Sequence, residues 1–256
     1  MLDFYYAPMA CSMASHIALE EAGADYNSTC ITIRKGENRT PEFLKVNPKG
    51  FVPILVTSQG TITENVAILS YIALTYPEAR LLPSNDPYGL AQVTSFNTFL
   101  SSAVHVMFRA FNRPRLFADG EVAHAALIAK VPEMIKKYFG LIEDQLSDGR
   151  EWIHGNSYSV SDPYLWVYTN LLFWDGDRGD PYDYPLTQAH RERVLARPAT
   201  QRALKQEGVD DPAKVGPKLG ILVLDDPAVE AALAKGEAVS DYMKNPKVVD
   251  MSKAGC

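Results

Sequence analysis

An α/β domain over residues 1–79 followed by an all-helical domain over residues 88–207 is the architecture this sequence predicts. Three observations carry that expectation. The first 79 residues alternate short β-rich runs with helical periodicity; "RLLPSNDP" (80–87) is a connector rich in Pro, Asn and Asp; and beyond it almost no strand signal remains.

The elements follow in order. "LDFYYA" (2–7) is a β-rich run stopped by Pro8. From Ser12 onward Met13, Ala14, Ile17 and Ala18 recur at helical spacing, and Gly23 ends that helix. "DYNSTCITI" (25–33) alternates as a strand, and Thr40–Pro41 opens a helix with Thr as cap and Pro at the first helical position. "VPILVTSQGTIT" (52–63) reads as two strands joined by a tight turn at Ser58–Gly60, and a helix runs from about Asn65 to Tyr76, closed by Pro77. The order β-α-β-α-β-β-α describes a thioredoxin-like unit. In the second domain, residues 88–111 and 122–147 read as long helices, 160–173 as a third, and 188–207 as two short ones split at Pro198. The stretch 208–256 is polar and Pro-broken, with a helical patch near 227–235 and an apolar run "LGILVL" (219–224). It reads as a C-terminal extension that packs back over the helical domain, because that run left in solvent would be an aggregation-prone patch.

Composition narrows the function classes. The 256 residues are 46% apolar and 22% charged, ordinary values for a globular chain. A net charge of −6 without any Lys/Arg run argues against a nucleic-acid partner. No apolar run reaches membrane-spanning length and no basic segment leads into an apolar one at the start, so the expectation is a cytoplasmic protein without a membrane partner. Cys11, Cys30 and Cys256 are too few and scattered for a disulfide framework, and they form neither a CxxC pair nor a zinc spacing. "DGDRGD" (175–180) lacks the spacing and closing Glu of an EF-hand loop, so it reads as a solvated loop, not a metal site.

Several short stretches can carry chemistry. Cys11 lies where a strand gives way to a helix; free N–H groups and the helix dipole there favour a thiolate, while a small buried hydrophobe is the ordinary alternative. Val52–Pro53 enters the third strand, and the surrounding order of elements favours a cis bond there. "TEN" (63–65) puts Glu64 and Asn65 at a helix start, where N–H groups bind a carboxylate and Glu64 can hold an amino group; capping alone is the alternative. "SVSD" (159–162) is an acidic capping box with Ser159 as N-cap and Asp162 three residues on, a structural device. His105 lies mid-helix, followed at helical spacing by Phe108 and Phe111, and reads either as core or as a near-neutral acid–base beside an apolar ligand site.

Six stretches, "YYAPMACSMASHIALEEAG", "NPKGFVPIL", "TENVAILSYIA", "SSAVH", "SVSDPYLW" and "AHRERVLARPATQRALKQEG", are spaced along residues 4 to 208. In this order they resemble the cytosolic glutathione transferases, the bacterial beta class most closely. The resemblance implies a glutathione transferase fold, glutathione as co-substrate and no metal. It also implies a homodimer in which the first domain of one subunit packs on helices 88–111 and 122–147 of the other. Cys11 falls at the position that contacts the glutathione sulfur, Ser12 follows it as in the family, and His105 matches the histidine that reaches toward that sulfur. Lys35, Phe51, Val52, Pro53, Glu64 and Asn65 fall at glutathione-contact positions, with Val52 bonding through its backbone. Asn65 departs from the usual Ser and Phe51 from the usual polar residue. Thr98 replaces the family's Asn seven residues before the histidine, with Asn97 one place earlier, and the 208–256 extension has no usual counterpart. Met9, Phe108, Phe111 and Trp166 are the expected walls of a pocket for a small hydrophobic, aromatic electrophile. Three functions stay open: conjugation of such an electrophile, glutathione-dependent disulfide exchange or reductive cleavage through Cys11, and non-catalytic ligand carriage.

Overall fold

A computed structural model describes residues 1–83, 85–173 and 183–209. The "DGDRGD" stretch and, from residue 210 on, the C-terminal extension with its "LGILVL" run lie outside the described residues. The first domain runs β1 (Leu2–Tyr6), α1 (Met13–Glu21), β2 (Tyr26–Cys30), α2 (Pro41–Val46), β3 (Ile54–Thr57), β4 (Gly60–Thr63) and α3 (Asn65–Thr75). The sheet order is β2-β1-β3-β4, with β1 parallel to β2 and antiparallel to β3. This is the mixed sheet of a thioredoxin-like unit.

Period-two alternation sorts the strands onto two cores. Phe4, Tyr6 and Leu55 turn to the face that carries α1 and α3, whereas Ile54 and the half-buried Tyr5 turn to the opposite face, against Phe43 of α2. Helix α1 has no polar face through most of its length: Met13 to Leu19 are all buried. A helix apolar all round belongs inside, and α1 is packed between the sheet and the second domain, against α7 and α9.

The helical domain begins with α4 (Pro87–Phe99), a π-helical turn (Leu100–Val104) and α5 (His105–Asn112), and continues through α6 (Glu121–Leu146), α7 (Ser161–Leu172), α8 (Pro185–Leu195) and α9 (Pro198–Gln206). Where sequence periodicity predicts one helix over 88–111, the rod is continuous but interrupted by that π turn just before His105. Proline marks four of the described helix starts: Pro41, Pro87, Pro185 and Pro198 occupy first-turn positions where the missing N–H costs nothing. Helix α9 is tied to α1 by Arg197 on Glu21 and Arg202 on Glu20, and the Arg197 guanidinium lies 3.8 Å from the Tyr158 ring centre.

The capping box at 159–162 keeps its Asp162-to-Ser159 bond, while the N-cap position itself is displaced by one residue. Helix α7 starts at Ser161, with Val160 at the N-cap position. The displacement follows from Asp162, which is fully buried and turns its carboxylate back to gather donors. Oδ2 accepts the Ser159 N–H at 2.7 Å, while Oδ1 accepts the Ile153 N–H at 3.0 Å and faces His190 Nε2 at 2.9 Å. One side chain therefore anchors the α6–α7 loop, the start of α7 and helix α8. Asp162→Ala leaves these buried donors without an acceptor, each costing about 1–3 kcal/mol. A loss of at least about 3 kcal/mol in urea unfolding is expected, and a change within error would remove the anchoring role.

Candidate active site

The loop joining β1 to α1 is closed by a hydroxyl. Ser12 Oγ accepts the Ala7 N–H at 3.1 Å and donates to the Ala7 carbonyl at 3.0 Å, and Ser12 has no exposed surface. Its one donor proton is spent on the loop, so Ser12 shapes the turn that holds Cys11. Within that turn Met9 has φ +53, and its N–H donates to Glu207 Oε2 at 2.7 Å.

Cys11 is a half-buried free thiol that points across the cleft to the first domain's other loop, donating to the Val52 carbonyl at 3.7 Å. The Val52–Pro53 bond is cis, as its position in the fold predicts. Burial pushes the Cys11 thiol up to about 11. The backbone N–H groups at the helix start and the charge of Arg109 pull the other way, and Glu64 adds to the rise. Desolvation thus outweighs the helix N-terminus, and the sequence-based expectation of a favoured thiolate is reversed: at neutral pH Cys11 is a donor.

His105, in the helical domain, is within electrostatic reach of the same two charges as Cys11, those of Arg109 and Glu64. It is the first residue after the π turn, a local distortion that recurs at functional sites because it re-aims the next side chain. Burial, with the Arg109 charge beside it, pulls the His105 imidazole down to about 4, so the ring is neutral at pH 7. Its ring lies 5.7 Å from that of Tyr168, whose hydroxyl donates to the Tyr164 hydroxyl at 3.2 Å. Burial raises both tyrosine pKa values, and the Cys11 sulfur is within electrostatic reach of both. Two α7 tyrosines, present in "SVSDPYLWVY" but not singled out there, therefore line the junction of Cys11 and His105.

Glu64 and Asn65 behave differently from each other. Glu64 has φ +73, makes no side-chain cap bond, and reaches solvent with its carboxylate 2.6 Å from Lys49 Nζ. Capping therefore does not explain it. Asn65 is buried: its amide donates to the Cys11 carbonyl at 2.8 Å, and its Oδ1 accepts from Ser15 at 2.6 Å. The side chain that was a candidate carboxylate donor instead ties α3 to α1. Lys35 is exposed in the 3-10 turn Ile33–Lys35, and Phe51 is 45% exposed.

The expected acceptor walls divide in two. Met9 and Phe111 are half-buried and remain at the surface of the core, whereas Phe108 and Trp166 are 1% and 0% exposed. Phe108 stacks on Tyr168 at 6.3 Å and meets Phe139 edge-on, so it and Trp166 are core residues and no pocket walls. Thr98 is exposed and Asn97 buried. Thr98 lies at one end of a groove of about 590 Å³ along α4, with Pro87, Leu90, Ala91, Thr94 and Ser95, on a face that does not include Cys11. Among the described residues no group of three potential metal ligands is found, and no helix is long and apolar enough to cross a membrane.

Known proteins share this fold and much of this sequence. The glutathione S-transferase N-terminal domain matches residues 2–74, and a glutathione S-transferase C-terminal domain matches residues 116–207. A Sulfitobacter glutathione transferase homologue with bound glutathione is 33% identical and superimposes with a TM-score of 0.75, covering 82% of this chain and 99% of that one. The beta-class glutathione S-transferase of Sphingomonas chungbukensis is 34% identical with a TM-score of 0.69, covering 81% and 99% of the two chains. The glutathione S-transferase GstA of Escherichia coli O157:H7 is 28% identical over 215 residues, 81% of this chain and all of that protein. The chain belongs to the glutathione S-transferase family.

The two shifted groups set a pH signature. The folded protein holds the Cys11 proton to about pH 11, above the ordinary thiol value of 9.0, so stability falls as pH rises from 9 toward 11. It also resists charging of His105, from an ordinary 6.5 down to about 4, so stability falls as pH drops through that interval. Iodoacetamide labelling of Cys11, followed by mass spectrometry, should accelerate with each pH unit from 7 to 10 without levelling near 9. A plateau near pH 8 would mean that the helix N-terminus prevails after all.

Proposed function

We propose that the protein joins glutathione to a hydrophobic, aromatic electrophile, with Cys11 acting as a hydrogen-bond donor to the glutathione sulfur. The observation that carries this reading is Cys11 donating to the Val52 carbonyl beside the cis Pro53, with Tyr168 next to the His105 ring and within electrostatic reach of Cys11; burial favours the protonated thiol and the neutral imidazole. A thiol and an imidazole N–H stabilise a glutathione thiolate over the thiol without adding charge of their own. The glutathione proton passes to water, the thiolate sulfur bonds to the electrophilic carbon, and the leaving group departs with its bonding pair.

The rest of the glutathione contacts follow from where each residue stands, with the α-amino group taking the place of Lys49 on Glu64. Val52, beside Pro53, offers its backbone to the cysteinyl part, its carbonyl now engaged by Cys11. Glu64, bent out by its positive φ, takes the α-amino group, and the α3 N-terminus takes the γ-glutamyl carboxylate through backbone N–H groups, since the Asn65 side chain is occupied. Lys35 takes the glycyl carboxylate, and Phe51 covers the cysteinyl part. The electrophile lies against Met9 and Phe111. Such a reaction belongs in a glutathione-containing compartment such as the cytoplasm. Covalent disulfide chemistry through Cys11 is the weaker reading: a thiol at about 11 is thiolate only to roughly one part in 10⁴ at pH 7.

Conjugation of 1-chloro-2,4-dinitrobenzene tests the reading. One donor to a charged sulfur contributes about 1.5–3 kcal/mol, so Cys11→Ala should lower kcat/KM by about 10–100-fold. Cys11→Ser, which keeps a donor, should lose less than about ten-fold, and transfer of glutathione to a mixed disulfide should be negligible in all three proteins. Unchanged conjugation in Cys11→Ala, or strong disulfide exchange in the wild type that both variants lose, would falsify the donor role.

The same reading includes a homodimer with α4 at the interface. Its support is the α4 groove with the exposed Thr98, beside exposed Tyr88 and Leu74. Sedimentation velocity at micromolar concentration should give a dimer; Tyr88→Glu should shift it toward monomer, and a wild-type monomer would discard the interface.

A further inference from the structure

We propose, building on the reading above, that the acceptor is an anion: an aromatic electrophile bearing a carboxylate, which docks on Arg109 and Arg113 at the mouth of the site.

The mouth is framed by arginines from both domains. The Phe51 ring has the Arg109 guanidinium 5.2 Å from its centre and the Arg39 guanidinium 6.0 Å from it. Arg39 comes from the first domain and lies against Gly50, where a Cβ would stand only 2.7 Å from its Nη1. Arg109 lies in the last turn of α5, about one turn beyond His105, and Arg113 is the residue just past the helix end, where the backbone leaves the helical conformation. Arg113 is also within electrostatic reach of Arg115, Arg109 and Arg39, which, after burial, lower its hold on a proton. Two guanidinium groups thus meet one exposed ring, with Arg113 and Arg115 within electrostatic reach of them, on a chain whose net charge is −6.

Among the described residues none of the four has a carboxylate partner. The Arg–carboxylate pairs found there are Arg150–Asp148, Arg197–Glu21 and Arg202–Glu20, all elsewhere. The α5 C-terminus welcomes a cation in its last turn, but the dipole does not account for Arg39 or Arg115. Unpaired like charges repel, and a bound anion relieves that repulsion. Glutathione's own carboxylates are assigned to Lys35 and to the start of α3, away from the α5 arginines. What remains for Arg109 and Arg113 is an acceptor that arrives at the exposed edge of Phe51, where its aromatic ring meets the Phe51 side chain and its carboxylate meets a guanidinium fork.

Equilibrium binding tests this without relying on turnover. With S-methylglutathione present, 4-nitrobenzoate and 4-nitrobenzamide are titrated calorimetrically into the wild type, Arg113→Gln, Arg113→Lys and Arg109→Gln/Arg113→Gln. The carboxylate should bind at least about ten-fold tighter than the amide. That preference should shrink in Arg113→Gln, largely survive in Arg113→Lys, vanish in the double variant and weaken in high salt. Equal binding of the two compounds, no binding of either, or a preference that persists in the double variant overturns the proposal. So does a variant that loses affinity for S-methylglutathione while keeping the benzoate preference, since the cluster would then serve glutathione. Arg113 is exposed, so its single variants keep the test decisive if the double variant does not fold. Chlorodinitrobenzene turnover, measured in parallel, reports on the conjugation reading alone: its absence beside an intact carboxylate preference would sink that reading and leave the anion site standing.

Discussion

A buried carboxylate holds the two domains in register. Glu207, just past α9, has no exposed side-chain surface, and its Oε1 meets His16 Nδ1 at 2.8 Å while Oε2 accepts the Met9 N–H at 2.7 Å. Burial raises the Glu207 pKa, and the bonds from His16 and Met9 oppose that rise. Such a charge is tolerable in a core only while its donors stay in place. Gln206 adds to the clamp through His16 Nε2 at 2.7 Å. The end of the helical domain therefore fixes both α1 and the strained Met9 two residues before Cys11. Losing the α9 docking would release Met9 and, with it, the turn that positions the thiol.

Fixing Cys11 this way also sets its chemistry. A helix N-terminus alone stabilises charge by about 0.3–1 kcal/mol at an exposed site, rising to about 2 where partly buried. A thiol pressed between α1, α7 and the Val52 loop loses more hydration than that. The same packing keeps His105 neutral and the two tyrosines protonated. The cleft is therefore rich in neutral donors, an arrangement that favours an anionic sulfur arriving from outside over an anionic sulfur made from within.

Much of the architecture was legible because local chemistry punctuates it. Pro41 and Pro198 mark helix starts within a residue of their observed places, and the alternation in 25–33 and 52–63 located β2, β3 and β4. Local signals failed where a side chain's partner is distant in sequence or its burial is set by another element. Ser12 looked like part of a reactive dipeptide, but its partner is the Ala7 peptide. Asn65 looked open to a ligand, but Ser15, fifty residues earlier, claims its oxygen. Phe108 and Trp166 share an apolar pattern with pocket walls, and only the packing of α7 against Phe108 decides that they are core. Glu207 carried no local signal at all, since its partners lie 191 and 198 residues away. The π turn was equally hidden, because "LSSAV" differs little from any helical stretch.

Charge is distributed in the opposite sense to the chain as a whole. An overall excess of acidic residues repels anions at long range, while Arg39 and Arg109 on Phe51, with Arg113 within electrostatic reach of both, make one locally cationic patch that attracts them. Over a separation beyond a Debye length the repulsion is screened, whereas inside a half-buried cleft the attraction is not. Arg109 links the two halves of the site: its charge lowers both the Cys11 and the His105 pKa while its guanidinium faces Phe51. Neutralising that guanidinium with a bound carboxylate would let the Cys11 thiol hold its proton more firmly still, since an opposing charge has been removed. Occupation of the mouth by an anionic acceptor and retention of Cys11 as a donor would then reinforce each other through one side chain.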